Sequence, residues 1–183
     1  MLKRMKLYWN QLFGEQQRTS HICTSFDSAL ENTTSNLYNK QNIAHSNALI
    51  SNLKNDHQII FNIFSEISNA IEIRAFENID VILKQFKSCF RSHLIQENTQ
   101  LYAYLKQHFA QQPKQLSIVQ QVHQETKETA KSIFQFIQKW QDQQVSEHNL
   151  LQFSQEYKDI GHLLMQRIAQ EENELYTLYP PHI

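Results

Sequence analysis

The sequence predicts an all-α protein, an up-down-up-down four-helix bundle preceded by an N-terminal helical arm. The 183-residue chain contains only 2 Gly and 3 Pro, which leaves little material for hairpin turns and favours long helices. Its later part divides into four long segments with apolar residues at the helical period, separated by short joints, the pattern of antiparallel helical hairpins. The length is that of one domain with an appended arm and is sufficient to bury a core.

Residues 2–13 place Leu2, Met5, Trp9, Leu12 and Phe13 at helical spacing, so a short amphipathic helix is expected to end near Gly14 and cover its own chain or a second copy. The following stretch to about residue 46 is rich in Ser, Thr and Asn and reads as an arm, which divides the chain into residues 1–45 and a bundle over 46–183. The first bundle segment, 46–72, carries Leu49, Leu53, Ile60, Phe64, Ile67 and Ile71. The second, 76–110, carries Phe76, Ile79, Leu83, Phe86, Phe90, Leu94, Leu101 and Leu105. Pro113 suits a helix start and opens 114–142, with Leu116, Val119, Val122, Ile133, Phe136, Ile137 and Trp140. The last, 147–179, aligns Leu150, Phe153, Tyr157, Ile160, Leu164, Ile168, Leu175 and Leu178 before Pro180 and Pro181 stop it.

With 17 basic and 18 acidic residues, the net charge of −1 gives no field to gather nucleic acid. Cys23 and Cys89 form no CxxC pair, which suits buried thiols in a reducing compartment and argues against a disulfide framework. No apolar run reaches the ~20 residues of a membrane span. Lys3, Arg4 and Lys6 are not followed by a secretory apolar core, so a cytoplasmic location is expected. No Gly-rich phosphate loop, nucleophile elbow or Cys–His pair is present, so a binding role is expected before an enzymatic one.

The informative feature is a repeat. HLIQENTQLYAYL, from His93, aligns without a gap on RIAQEENELYTLY, from Arg167. Residues four apart on a helix lie about 40° apart and one turn along, so His93 with Glu97, and Arg167 with Glu171, project to one side. The helix that precedes each repeat carries an early histidine, His57 or His123. Two imidazole-bearing helices facing the two repeats aim nitrogen and oxygen donors at one region of the core, a set that suits iron, manganese or zinc. A cation there would offset the expense of burying Glu97 and Glu171.

Over roughly residues 46–179 this order resembles the hemerythrin-like family and its HHE cation-binding signature: lone His, His-x-x-x-Glu, lone His, His-x-x-x-Glu. The trailing Leu101-Tyr102 and Leu175-Tyr176 fit it too. The resemblance implies two irons in the bundle, bridged by Glu97 and Glu171, with His57, His93 and His123 as terminal ligands. An open coordination position would take dioxygen or another small diatomic molecule. Arg167 departs from the pattern, because a guanidinium stays protonated and cannot ligate a cation. An altered dinuclear site, a single ion held mainly by His57, His93, Glu97 and His123, and a metal-free site closed by an Arg–carboxylate pair all remain open.

The functions implied are a non-haem iron protein that binds or senses dioxygen, nitric oxide, peroxide or iron itself, or an oxidase on the same centre. A metal-free interaction protein with a protein partner is the alternative, since FSQEYKDIGHLLMQRIAQEENELYTLY is similar to the closing helix of the bacterial anti-sigma regulator family that holds the housekeeping sigma factor. Tyr102, Tyr104, Tyr176 and Tyr179 read as packing that closes one end of the bundle. His21, His45, His108, His148, His162 and His182 read as surface residues, with His162 about 180° from Glu171 and His21 or His45 best placed to fold back over the site.

Overall fold

The computed structural model describes residues 45–180, and these form an all-α bundle. The expectations for the helix at residues 2–13, for His21, Cys23 and His182, and for most of the arm lie outside the described residues. Helix α1 spans Leu49–Glu72 and α2 spans Phe76–Gln96; the second helical rod continues through a π-helical turn, Glu97–Tyr102, into α3, Ala103–His108. Helix α4 runs Pro113–Gln143, and α5, Leu150–Gln170, continues through a second π turn, Glu171–Leu175, and a 3-10 turn, Tyr176–Leu178. The connections between rods are a few residues long, which makes consecutive rods antiparallel neighbours. Helix α1 packs on α2, α4 on α5, and α2 also on α4.

The periodicity placed the helices within a few residues, but it did not show the two π turns. Each begins at the glutamate of a repeat, Glu97 or Glu171. A π turn bonds residue i to i+5, so residues five apart come onto one face, whereas in an α-helix they lie about 140° apart. The turns therefore swing Tyr102 toward the side of Glu97, and Tyr176 toward that of Glu171; both rings are buried.

Apolar packing holds the bundle on both sides of a polar layer. On one side lie Phe64, Phe86, Phe90, Phe136, Trp140, Phe153 and Tyr157, with Phe64 stacked on Tyr157 at 4.5 Å and Trp140 edge-on to Phe153 at 5.0 Å. The polar atoms in this region are satisfied: Tyr157 Oη donates to the Phe64 carbonyl at 3.0 Å, and Trp140 Nε1 to Glu156 Oε2 at 2.9 Å. On the other side Leu49, Leu53, Leu101, Leu105, Phe109, Val119, Val122 and Leu175 form a second cluster. Each such burial is worth roughly 1.5–3 kcal/mol. Among the described residues the four long helices have no side-chain N-caps, so this packing carries them.

Tyr104 and Tyr179 do close one end, where His45 stacks on Tyr179 at 4.5 Å and its Nε2 donates to the Pro180 carbonyl at 2.6 Å. His45 thus joins the end of the bundle and does not fold over the polar layer. Cys89 is buried. Two joint residues, Arg74 (φ 57°) and Gln144 (φ 54°), take left-handed backbone without glycine.

Candidate metal centre

The polar layer is built from α1, α2, α5 and the two π turns. His57, His93, Glu97, Arg167 and Glu171 are all buried there, with Glu97 at 0% exposure. One donor atom each from His57, His93 and Glu171 lies within 4.8 Å of the others. Opposite ligands on a cation bonded at about 2.1 Å are roughly 4.2 Å apart, so these donors are close to the span of a single ion's shell.

Glu171 is the hub. Its Oε1 accepts from Arg167 Nε, and its Oε2 lies 3.0 Å from His57 Nε2. Burial opposes its ionisation, but the His57 hydrogen bond and the Arg167 charge outweigh burial and bring its pKa down to about 2. His57 is clasped on both nitrogens, since Nδ1 lies 2.8 Å from Glu172 Oε1. Burial pushes this imidazole down, yet the hydrogen bonds to Glu171 and Glu172 prevail and raise it to about 9. Carboxylate oxygens facing both nitrogens favour the protonated ring in the metal-free protein.

Glu97 is held differently. Tyr176 Oη donates to its Oε1 at 3.2 Å and also lies 3.2 Å from His57 Nε2. Glu97 Oε2 has no hydrogen-bond partner and sits 3.8 Å from His93 Nε2; His93 Nδ1 is likewise unpartnered. Burial first, then the Glu171 charge, pushes the Glu97 carboxyl up to about 7. An unpaired buried oxygen beside the His93 imidazole is an open valence for a cation.

Arg167 enters the ring of donors. Besides Glu171, its Nη2 donates to Tyr102 Oη at 2.8 Å, and Nη1 to Gln170 Oε1 at 3.3 Å. Tyr102 Oη in turn lies 2.7 Å from Thr126 Oγ1, which donates to the Val122 carbonyl at 2.9 Å. The protons therefore run in one direction, from guanidinium through phenol and hydroxyl to carbonyl.

The structure does not bring His123 into the cluster. Its Nε2 donates to Asn98 Oδ1 at 2.6 Å, its Nδ1 accepts from Lys106 Nζ at 2.7 Å, and its ring stacks on Tyr102 at 4.2 Å. Partial burial, then the Lys106, Lys127 and Arg167 charges, lower its pKa to about 4, which suits a neutral ring accepting from an ammonium. On that side Arg167 and Tyr102 fill the space next to the His123 ring, and the guanidinium already supplies a positive charge there. A cavity of about 10 Å³, room for one water-sized species, lies beside His57, His93, Arg167 and Glu171 under Ile60, Phe90 and Leu164.

Residues 48–179 match the model of the hemerythrin HHE cation binding domain. The chain belongs to the hemerythrin HHE cation-binding family. No curated protein and no solved structure matches it. Within this hemerythrin-like bundle the His/Glu cluster can hold a metal ion. Sequence reasoning missed Glu172, Tyr102 and Tyr176 as parts of the site. For Glu172 a signal was present in the doublet Glu171-Glu172; for the tyrosines it lay in their equal spacing after each repeat glutamate.

Proposed function

We propose that this domain binds one cation, iron before manganese or zinc, through His57, His93 and Glu171 with Glu97 as a fourth donor, and presents it to a small ligand such as dioxygen, nitric oxide or peroxide. The observation that carries this reading is the convergence of three buried donors within 4.8 Å. The unpartnered Glu97 Oε2 supports it. The residues fit one ion better than two. The Arg167 guanidinium stands in the second half of the donor ring, and His123 faces Asn98 and Lys106 instead. A bound redox ion would supply an open coordination position for the ligand. The chain supplies the rest: Ile60, Phe90 and Leu164 give the small cavity an apolar wall, and the Tyr176 hydroxyl holds a proton between His57 and Glu97.

Anaerobic titration of metal-free protein with ferrous iron, followed by elemental analysis after gel filtration, tests the proposal. One iron per chain is expected, lost in His57→Ala and Glu171→Gln variants that keep native helicity, and nitric oxide should add a visible absorption band to the loaded wild type. Two irons per chain would restore the dinuclear arrangement. No uptake of iron, manganese or zinc would overturn the proposal in favour of a metal-free interaction protein.

A further inference from the structure

Glu172 stands beside the cluster without facing it, and its two oxygens have different partners. Oε1 lies 2.8 Å from His57 Nδ1, and Oε2 lies 3.8 Å from Lys54 Nζ on the solvent side. The Glu172 side chain is 9% exposed and that of Lys54 49%, so the carboxylate spans from the buried ring to a surface ammonium. A histidine has two nitrogens, and which of them can ligate is set by the hydrogen bond the other makes. With Nδ1–H committed to Glu172, only Nε2 is left to face Glu171 and the cavity. The ring plane is fixed by the same bond together with the parallel Tyr176 ring, 5.7 Å away at 9°.

The other buried histidine has no such support. His93 Nδ1 is unpartnered, and the nearest carboxylate, Asp56, is 3.8 Å away and part-exposed. Outside the cluster, the residue aligned with Glu172 in the first repeat is Asn98, which accepts from His123 through a neutral amide.

We infer that Glu172 is a positioning residue: it fixes the tautomer and orientation of His57 so that Nε2 is the ligating nitrogen, with Lys54 anchoring the carboxylate from outside. This rests on the proposed cation site but concerns a residue outside the donor set. Losing such outer support typically weakens metal binding by about 10- to 100-fold.

The test uses full-length protein, wild type and the variants Glu172→Ala, Glu172→Gln and Lys54→Met, loaded with cobalt(II) for affinity and with zinc(II) for nitrogen-15 imidazole spectra. Glu172→Ala should weaken cobalt binding about 10- to 100-fold and broaden or invert the His57 tautomer pattern. Glu172→Gln retains an acceptor for Nδ1–H and should recover most of the affinity, and Lys54→Met should lose only a few-fold. Should Glu172→Ala, with native helicity, bind cobalt within twofold of wild type and keep the Nδ1–H tautomer, the inference is wrong. A wild type that takes up no cobalt or zinc instead defeats the cation proposal. The hydrogen-bonded Nδ1–H resonance of metal-free wild type, lost in Glu172→Ala and kept in Glu172→Gln, then still decides whether Glu172 orients the ring.

Discussion

The two halves of the bundle start from the same plan and end differently. In one, His57 of α1 faces the second repeat: its ring lies along Tyr176, and Glu171 and Glu172 take its two nitrogens inside the core. In the other, His123 of α4 faces the first repeat: its ring lies along Tyr102, but Asn98 and Lys106 take its nitrogens at the surface. The tyrosines cross over, with Tyr176 of the second repeat bonding Glu97 of the first, and Tyr102 of the first accepting from Arg167 of the second. The histidine-to-arginine difference at the head of the repeat, His93 against Arg167, accounts for the divergence. A guanidinium brings its own positive charge and donors, so its half of the core closes on itself, while the His93 half keeps unpaired atoms.

The largest effect should therefore come from exchanging these heads for a similar apolar volume. Arg167→Leu leaves Glu171 with one fewer cation and Tyr102 without its donor, and breaking a buried pair in this way costs about 3–5 kcal/mol. His93→Leu removes a ring that makes no hydrogen bond at Nδ1, so the metal-free protein should lose under about 1 kcal/mol or gain slightly. Urea unfolding of the metal-free variants at pH 7 measures both. Equal losses would mean that the two heads play the same structural part, and the comparison fails.

The carboxylates should separate in the same experiment by a smaller margin. Glu171→Gln gives up charge-assisted bonds to Arg167 and His57, a loss of about 1–3 kcal/mol. Glu97→Gln removes a charge whose Oε2 is unpartnered, and at pH 8 the metal-free protein should become more stable, by about 1 kcal/mol, while its cation affinity falls.

The same asymmetry sets the response to pH. The folded state raises Glu97 from 4.5 to about 7 and His57 from 6.5 to about 9, so it binds these protons more tightly than the unfolded chain. Their stabilising contributions are present in mild acid and are lost as pH rises through 4.5–7 for Glu97 and 6.5–9 for His57. Glu171, lowered from 4.5 to about 2, acts oppositely and loses its contribution only as pH falls below 4.5. His123, lowered from 6.5 to about 4 but part-exposed, subtracts modestly as pH falls through that range. Melting temperatures of the metal-free protein should peak near pH 5–6 and decline toward pH 9. A peak at pH 8 or above would contradict the assignment of His57 as the buried cation.

Much of this arrangement was legible in the residues. Apolar spacing located the helices, i,i+4 geometry paired His93 with Glu97 and Arg167 with Glu171, and the antiparallel order of the helices set His57 opposite them, all buried in one layer. The π turns were not legible, because one residue's shift in hydrogen bonding from i+4 to i+5 leaves the apolar pattern nearly unchanged and is chosen by tertiary contacts. Tyr102 and Tyr176 were for that reason read as end packing, a reading that suits Tyr104 and Tyr179. His123 was expected at the centre because order along the chain shows which helix a residue occupies. It does not show that the Arg167 guanidinium, bonded to the Tyr102 hydroxyl, has already taken the place on that side.

The smallest effect is the sharpest check on this account. If Arg167 and Tyr102 close their half of the core without His123, then His123→Ala should cost no more than about 1 kcal/mol, since it removes part-exposed bonds to Asn98 and Lys106. Iron stoichiometry should stay at the wild-type value, whereas His57→Ala abolishes uptake. Loss of iron in His123→Ala would place that ring in the ligand shell of the loaded protein and show that it turns inward past Tyr102, making the two halves alike when a cation is bound and different only without one.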